Sequence, residues 1–335
     1  NQLFKGQLPK PETKFDYYRD IAVLAFPKPS SDARIDGLDY KMLSERIRNH
    51  LLPDDKEISK NAIIPKASII DLTSRLTEDG FLEWQVPDGN WVILRLGHTP
   101  IGTQNRPAPP SGKGLEVDKM SRKALDAYWQ DGIQPIINKL GDLIGTTVNN
   151  CIIDSYEVET TNWTIGFDSE FEKHRGYCLL SYLPTLAGYY VESGEISERF
   201  LWDFRRTLGD LIAENYYAHF AKLCHENNLK FSVEPYWGPF DNMQVGATGD
   251  IVMCEFWRGG YPFFHTYVHQ PWDVAPGLAL SYHGTDFNRL NTWWVQGRAF
   301  MDYIARSQFL LQQGRNIADV LVYTGASSPN TAFLK

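Results

Sequence analysis

The sequence reads as an α/β chain: part of a (β/α)8 barrel of the TIM type, incomplete here, with a β-sandwich-like region. Three observations carry that reading. From about residue 116 onward, short apolar runs alternate with segments of helical period, the pattern of a parallel sheet with crossover helices. Three of those runs lead into a carboxylate, Glu157, Glu234 and Glu255. Acids at the C-terminal ends of successive parallel strands are the layout of a barrel active site. Residues 1–115, in contrast, read mostly as β.

Each element follows from local pattern. Ile21–Phe26 is an apolar run stopped by Pro27 and Pro29, a strand. Phe81–Val86 alternates apolar and polar, Pro87-Asp88-Gly89-Asn90 has turn composition, and Trp91–Leu96 returns as a second strand. That order predicts a hairpin of sandwich or jelly-roll type. Residues 100–114 are rich in proline and glycine and read as a linker. Ser121 caps a helix running to about Leu140. Cys151–Ile153 is a β-branched run that leads into Asp154-Ser155-Tyr156-Glu157. Residues 168–177 and 195–227 read as helix, the latter with Phe200, Leu201, Phe204, Leu208, Leu211 and Ile212 at helical spacing. Strands follow at Leu229–Val233, Ile251–Cys254 and Phe263–Tyr267, then a helix over 291–314 and a strand at Val320–Tyr323. About five strands fall in the barrel region, where eight are needed. The division expected is 1–115 for the β-rich domain and linker, 116–325 for the barrel part, and 326–335 for the start of a following segment. The start at Asn1 and the polar stretch before Lys335 suggest a piece of something longer.

Composition narrows the function. With 335 residues, 43% hydrophobic and 22% charged, the chain can bury a large core. A formal net charge of -8 argues against a nucleic-acid surface, which needs a basic patch. No apolar run approaches the roughly 18 residues of a membrane helix. Cys151, Cys178, Cys224 and Cys254 are too widely spaced for a zinc site or a dense disulfide scaffold. Aromatics reach 13%, many beside acids in the second half. Flat rings beside carboxylates suit a sugar, with its apolar face and polar rim; an aromatic-rich core is the plainer account.

Glycoside hydrolysis needs two carboxyl groups flanking one bond, one giving a proton and the other activating water or attacking. An acid that keeps its proton needs an apolar or like-charged setting. Glu157 follows Tyr156, Glu234 precedes Pro235-Tyr236-Trp237, and Glu255 precedes Phe256-Trp257. One such Glu alone would be read as an arginine partner or a helix cap; three together read as a site. Asp154, Trp163, Tyr236, Trp237 and Trp272 join them as substrate-binding candidates. Asp241 and Asn242 could touch sugar or a hard cation, or form an Asx turn. His265 and His269 are spaced i, i+4, but Pro271 points to a strand end and loop, so hydrogen bonding to sugar hydroxyls is the preferred role, beside that of a structural histidine. Arg199, Arg205 and Arg206 read as a solvated or ion-paired helix face. No P-loop, GxGxxG, GxSxG or HExxH motif occurs.

The chain resembles the family-106 glycoside hydrolases, the bacterial α-L-rhamnosidases. The matching stretches are DIAVLAFP at 20–27, NRPAPP at 105–110, GLEVDK at 114–119, DSYEVETTNW at 154–163 and ISERFLWDFRRTLGDLIAENYY at 196–217. They continue with SVEPYWGPFDNMQ at 232–244, CEFW at 254–257, HQPW at 269–272 and ADVLVY at 318–323. The resemblance implies an inverting, calcium-dependent hydrolase with a (β/α)8 catalytic domain and an inserted β-rich domain over roughly 15–115. It implies removal of terminal α-L-rhamnose from plant pectic glycans or rhamnosylated small molecules, and export to the periplasm or beyond. Glu157 is then the general acid, with Glu234 and Glu255 binding sugar or calcium, or assisting; no calcium ligands are assigned.

Two departures from the family stand out. The barrel strands that precede the DIAVLAFP stretch are absent, and CEFWRGG runs straight into YPFFHTYVHQPW. Family members carry a helix-strand unit at that join, ending in an Ala-Glu strand whose Glu is the best candidate for the base. Without it, Glu255 or Glu234 must serve as base, or the chain is inactive. The alternatives are a carbohydrate-binding relative that lacks the base, a barrel glycosidase for another sugar, and a scaffold role.

Overall fold

The structure is a computed structural model that describes residues 2–10, 13, 15–44, 58–105, 108–158, 160–253, 294–315, 317, 319 and 320. The chain divides into two compact units, Asn1–Cys254 with Thr324–Lys335, and Glu255–Tyr323. Each is described by itself.

The first unit begins with β1 (Gln2–Gln7) and β2 (Arg19–Pro27). A one-turn helix α1 (Leu38–Lys41) and the short strands β3 (Ile63–Ile64) and β4 (Ile70–Asp71) follow. Next come β5 (Phe81–Val86) and β6 (Trp91–His98). β2 is the central strand of the antiparallel sheet β4-β2-β6. Its apolar run has no polar alternation because both faces are covered. Side chains on a strand alternate between faces. Accordingly Val23 and Ala25 pack into one core with Leu8, Leu72, Leu82 and Trp84. Ala22 and Leu24 pack into a second, larger core.

The expected 81–96 hairpin is not formed. β5 pairs with β1, from Gln2 opposite Val86 to Gln7 opposite Phe81, and β6 pairs with β2. Pro87–Asn90 is therefore a corner between two sheets, where Trp84 and Trp91 meet edge to face at 5.4 Å. Local turn composition could not distinguish a hairpin from a corner. The choice was made by pairing with β1 and β2, far away in sequence.

The helical part starts where Ser121 Oγ accepts from Ala124 N-H. α2 (Arg122–Tyr128) continues through a π turn into α3 (Gln134–Leu140), which stops at Gly141. β7 (Asn150–Ile153), α4 (Phe167–Arg175) and β8 (Tyr190–Val191) follow. α5 (Gly194–Ile212) runs through a π turn at Ala213–Ala218 into α6 (His219–Glu226), so the predicted 195–227 helix is one helical run. Its apolar positions are the buried ones, and Phe200 and Phe204 meet Phe171 and Phe167 at 5.8 and 5.2 Å. Ser197 inside α5 is buried yet satisfied. Its hydroxyl accepts from Val191 N-H at 2.8 Å, tying the helix to β8, and its one proton is donated between Ser193 O at 2.8 Å and Val191 O at 3.1 Å.

β9 (Lys230–Val233), α7 (Asn242–Gly246) and β10 (Ile251–Val252) complete the unit. β7, β9 and β10 form a parallel sheet in the order β10-β9-β7. One face carries the fully buried Phe231 and Val233, and Phe231 meets Phe220 of α6 at 5.4 Å. Cys151 lies on this face, and its hydrogen bond with the Cys224 thiol pulls its own thiol down to about 7. Cys151, Cys178 and Cys224 are free thiols. Mixed helix and strand is thus observed; among the described residues the strands do not close a barrel. In the second unit, α8 (Trp294–Gln312) is the described element. No described helix is long and apolar enough to cross a membrane.

Two stability outcomes follow. Leu208 is fully buried on α5. Leu208→Ala should lower unfolding free energy in denaturant titration by about 2–5 kcal/mol, the lost transfer energy plus a cavity. On the β2–β6 pair, Arg95 grips Asp20 with two bonds of 2.7 and 2.9 Å and holds its carboxyl below the ordinary value. A depressed folded-state value means stability that is present above the unfolded value of about 3.9 and lost as pH falls through the folded one. Asp20→Asn should therefore lower the melting temperature at pH 7, and the gap to wild type should close on acidification below about pH 4. A gap that stays constant with pH contradicts this.

Candidate active site

The site grows from the ends of two neighbouring parallel strands. Ile153 of β7 lies opposite Val233 of β9, and the ladder continues one residue further through Glu234 N-H to Ile153 O at 3.0 Å. Asp154 and Glu234 are therefore the next residues on adjacent strands, with backbones about 4.8 Å apart by sheet spacing. Tyr236 Oη donates to Glu234 Oε2 at 2.6 Å. This bond fixes the Glu234 side chain. Glu157 stands further out, exposed, and Ser155 Oγ donates to its Oε1 at 3.0 Å. Tyr156 does not give Glu157 an apolar wall, because its ring is buried against Phe240 at 5.7 Å.

The loop after Glu234 is strained. Trp237 has φ 67, the left-handed region that favours glycine, and is 56% exposed. Its ring meets Tyr236 edge to face at 5.4 Å. Bulky residues in that region cost energy and cluster at functional sites. A Cβ at Gly238 would fall 1.7 Å from the Phe240 ring, so only glycine lets the loop pass.

Asp241 takes the Asx alternative. Its Oδ1 caps α7, accepting from Met243 and Gln244 N-H at 2.8 and 3.0 Å, and its Oδ2 lies 3.9 Å from Arg206. Asn242 is exposed at the first turn of that helix. The three arginines divide. Arg199 pairs with Glu195 on the surface, and Arg206 pairs with Asp210 at 3.1 Å. Arg205 is largely buried, donates to Lys41 O, and is lowered to about 10 by burial. Trp163 lines a cavity of about 580 Å³ beside the end of β7, together with Tyr156 and Val158, the two neighbours of Glu157. Glu255, His265, His269 and Trp272 lie outside the described residues.

Sequence reasoning missed the polar side of that cavity: His98, Glu116, Asp118, Lys119 and Asn162. The GLEVDK stretch was visible as a matching motif, but nothing in it announced a wall. As for a metal, no three His, Cys, Asp or Glu side chains gather into a binding group among the described residues.

The comparisons bear on what this arrangement is. The glycoside hydrolase family 106 model, described as alpha-L-rhamnosidase, matches residues 4–262 and 260–335. A protein of Formosa agariphila named "Putative beta-glucuronidase" is 67% identical over 386 aligned positions, which cover 99% of this chain and 33% of that protein. The structure of a rhamnosidase from Novosphingobium sp. PP1Y matches with a TM-score of 0.75 and 32% identity, covering 89% of this chain and 35% of that one. The chain thus spans about a third of the length of these relatives. With the family model matched along almost all of its residues, the chain belongs to glycoside hydrolase family 106, the alpha-L-rhamnosidase family.

Proposed function

We propose that the protein carrying this chain releases terminal α-L-rhamnose from plant-derived glycans or rhamnosides, with inversion. What supports it is membership of family 106, together with two acids that follow neighbouring parallel strands, Glu234 directly after β9 and Glu157 in the loop after β7. Glu157 gives its proton to the leaving oxygen, and Ser155 orients its carboxyl. Glu234, held by Tyr236, binds the sugar or assists, as does Glu255. Inversion requires roughly 6.5–9.5 Å between acid and base, room for the attacking water. Asp154, Trp163, Tyr236, Trp237, Asn242, His265, His269 and Trp272 supply sugar contacts. Asp241 holds the start of α7 in place beside them. In this reading β7, β9 and β10 are strands of a (β/α)8 barrel, residues 116–325 its catalytic part, and residues 1–115 an inserted β-sandwich-like domain and linker. Calcium is a proposed cofactor of the complete enzyme, on family resemblance alone. Periplasmic or extracellular placement rests on the same ground.

Two further readings have their own observations. The name of the Formosa relative favours a glucuronoside as substrate. Separately, 386 aligned positions exceed the chain's 335 residues, and the family match restarts at residue 260. The relative therefore has internal residues that this chain lacks. That favours a sugar-binding relative short of its base.

Glu157→Ala in the complete enzyme should cut turnover of a rhamnosylated glycan by about a hundredfold or more, the usual loss for a general acid. A nitrophenyl rhamnoside, whose leaving group needs little protonation, should be cleaved with a much smaller loss. Equal loss on both substrates removes Glu157 from the acid role. Exhaustive chelation should abolish activity and added calcium restore it; full activity in the chelated enzyme refutes calcium dependence.

A further inference from the structure

Two thiols meet behind the parallel sheet, away from the strand-end acids. Ladder pairing sets Cys151 of β7 beside Phe231 of β9, so the two side chains point to the same face. Phe231 meets Phe220 of α6 at 5.4 Å. Cys224 follows Phe220 by four residues, one turn along the same side of that helix. The two contacts run side by side: Phe231 reaches Phe220, and Cys151 reaches Cys224, to whose thiol it is hydrogen-bonded. Backbone bonds hold both positions. Cys224 O accepts from Asn227 and Leu229 N-H at 3.0 and 2.9 Å, and Lys230 N-H donates to Asn149 O at 2.8 Å. Cys224 is fully buried. Cys151 is half-buried, on a strand that lies at the edge of its sheet among the described residues.

We infer that Cys151 and Cys224 are an oxidisable pair that closes into a disulfide, stapling β7 to α6. This modification is separate from glycoside hydrolysis and does not rest on that reading. The oxidant is a low-molecular-weight disulfide. The Cys151 thiolate attacks one of its sulfurs, forming a mixed disulfide and expelling one small thiol. Cys224 then loses its proton and attacks the Cys151 sulfur, expelling the second. Two protein thiols are oxidised, one small disulfide is reduced, and the two protons end on the two released thiols. The order of attack follows from the contact. The Cys224 thiol donates to the Cys151 sulfur, which lowers Cys151 to about 7, while that bond and burial keep the proton on Cys224. The thiolate is the nucleophile, and the half-buried partner is the one that carries it. Thiols already in hydrogen-bond contact need a short closing motion to reach the roughly 2.05 Å of a disulfide. The bridge would enclose α4, β8 and α5 in one loop. Closing a long loop restricts the unfolded chain and so favours the folded one.

The test is non-reducing peptide mapping by mass on the complete protein, reduced and then exposed to oxidised glutathione at about pH 8. The expected product is one peptide pair joined through Cys151 and Cys224, lighter by two hydrogens than its separate parts. Cys224→Ser should leave glutathione trapped on Cys151, because the resolving thiol is gone. Cys151→Ser should leave the buried Cys224 unmodified. The oxidised wild type should melt at least about 4 °C above the reduced form, and either serine variant should erase that difference. Free thiols at both positions after oxidation overturn the inference. So does a bridge from either residue to Cys178 or Cys254, or glutathione that stays on Cys151 in the wild type. A bridged protein that melts no higher than the reduced one refutes the staple. If a serine variant does not fold, the wild-type bridge and its melting shift decide.

Discussion

The first unit depends on β2 being buried on both sides. A one-residue slip turns every side chain of a strand to the other face. In β2, Ala22 and Leu24 belong to one core and Val23 and Ala25 to the other. A register shift of one residue would exchange every side chain between cores of different shape. The two-bond clasp of Arg95 on Asp20 holds the start of the strand in register with β6. Ile21 at the edge of this strand and Leu96 on its partner then form one wall of the cavity. The β-rich region is thus a wall of the cavity as well as a core of its own.

The directionality of the parallel sheet places Asp154 and Glu234 side by side with no help from the loops. The loops then decide what the acids face. Tyr236 turns back onto Glu234, Ser155 holds Glu157, and a left-handed Trp237 precedes Gly238, which packs against Phe240. The acids follow regular strands, while the side chains that hold them lie in irregular structure, as is usual on α/β scaffolds.

What was legible in the sequence was whatever a short window determines. The β-branched runs, the serine cap of α2, the long helical run from 195 and the strand-end acids all follow from neighbours within a few residues. The supposed hairpin failed because β5 and β6 each found a remote partner, and turn composition carries no information about remote partners. Asp241 was ambiguous between ligand and cap for the same reason: one carboxylate can serve either, and the helix behind it decided. The cavity was invisible because β2, β6, the GLEVDK stretch, the loop after β7 and α5 each give only a few of its residues. Arg205 looked like a surface residue by helical spacing, yet its position is set by Lys41 O, a partner that no local pattern reveals.

The parallel sheet also says something about what surrounds it in the complete protein. Sheets of parallel strands are found with both faces covered. Here the face packed on α6 is sealed at Phe231 and Val233, while Ile152 on the other face is 54% exposed and Ile251 is 42% exposed. These two side chains flank Ser232, so they lie together on one side of adjoining strands. Leaving them in water gives up apolar burial worth about 25 cal/mol for each square ångström, which a folded sheet of this kind does not ordinarily forgo. The Formosa relative has internal residues without counterpart here, and this chain spans about a third of its length. On a parallel sheet such an exposed apolar pair marks a surface against which further structure is expected to pack.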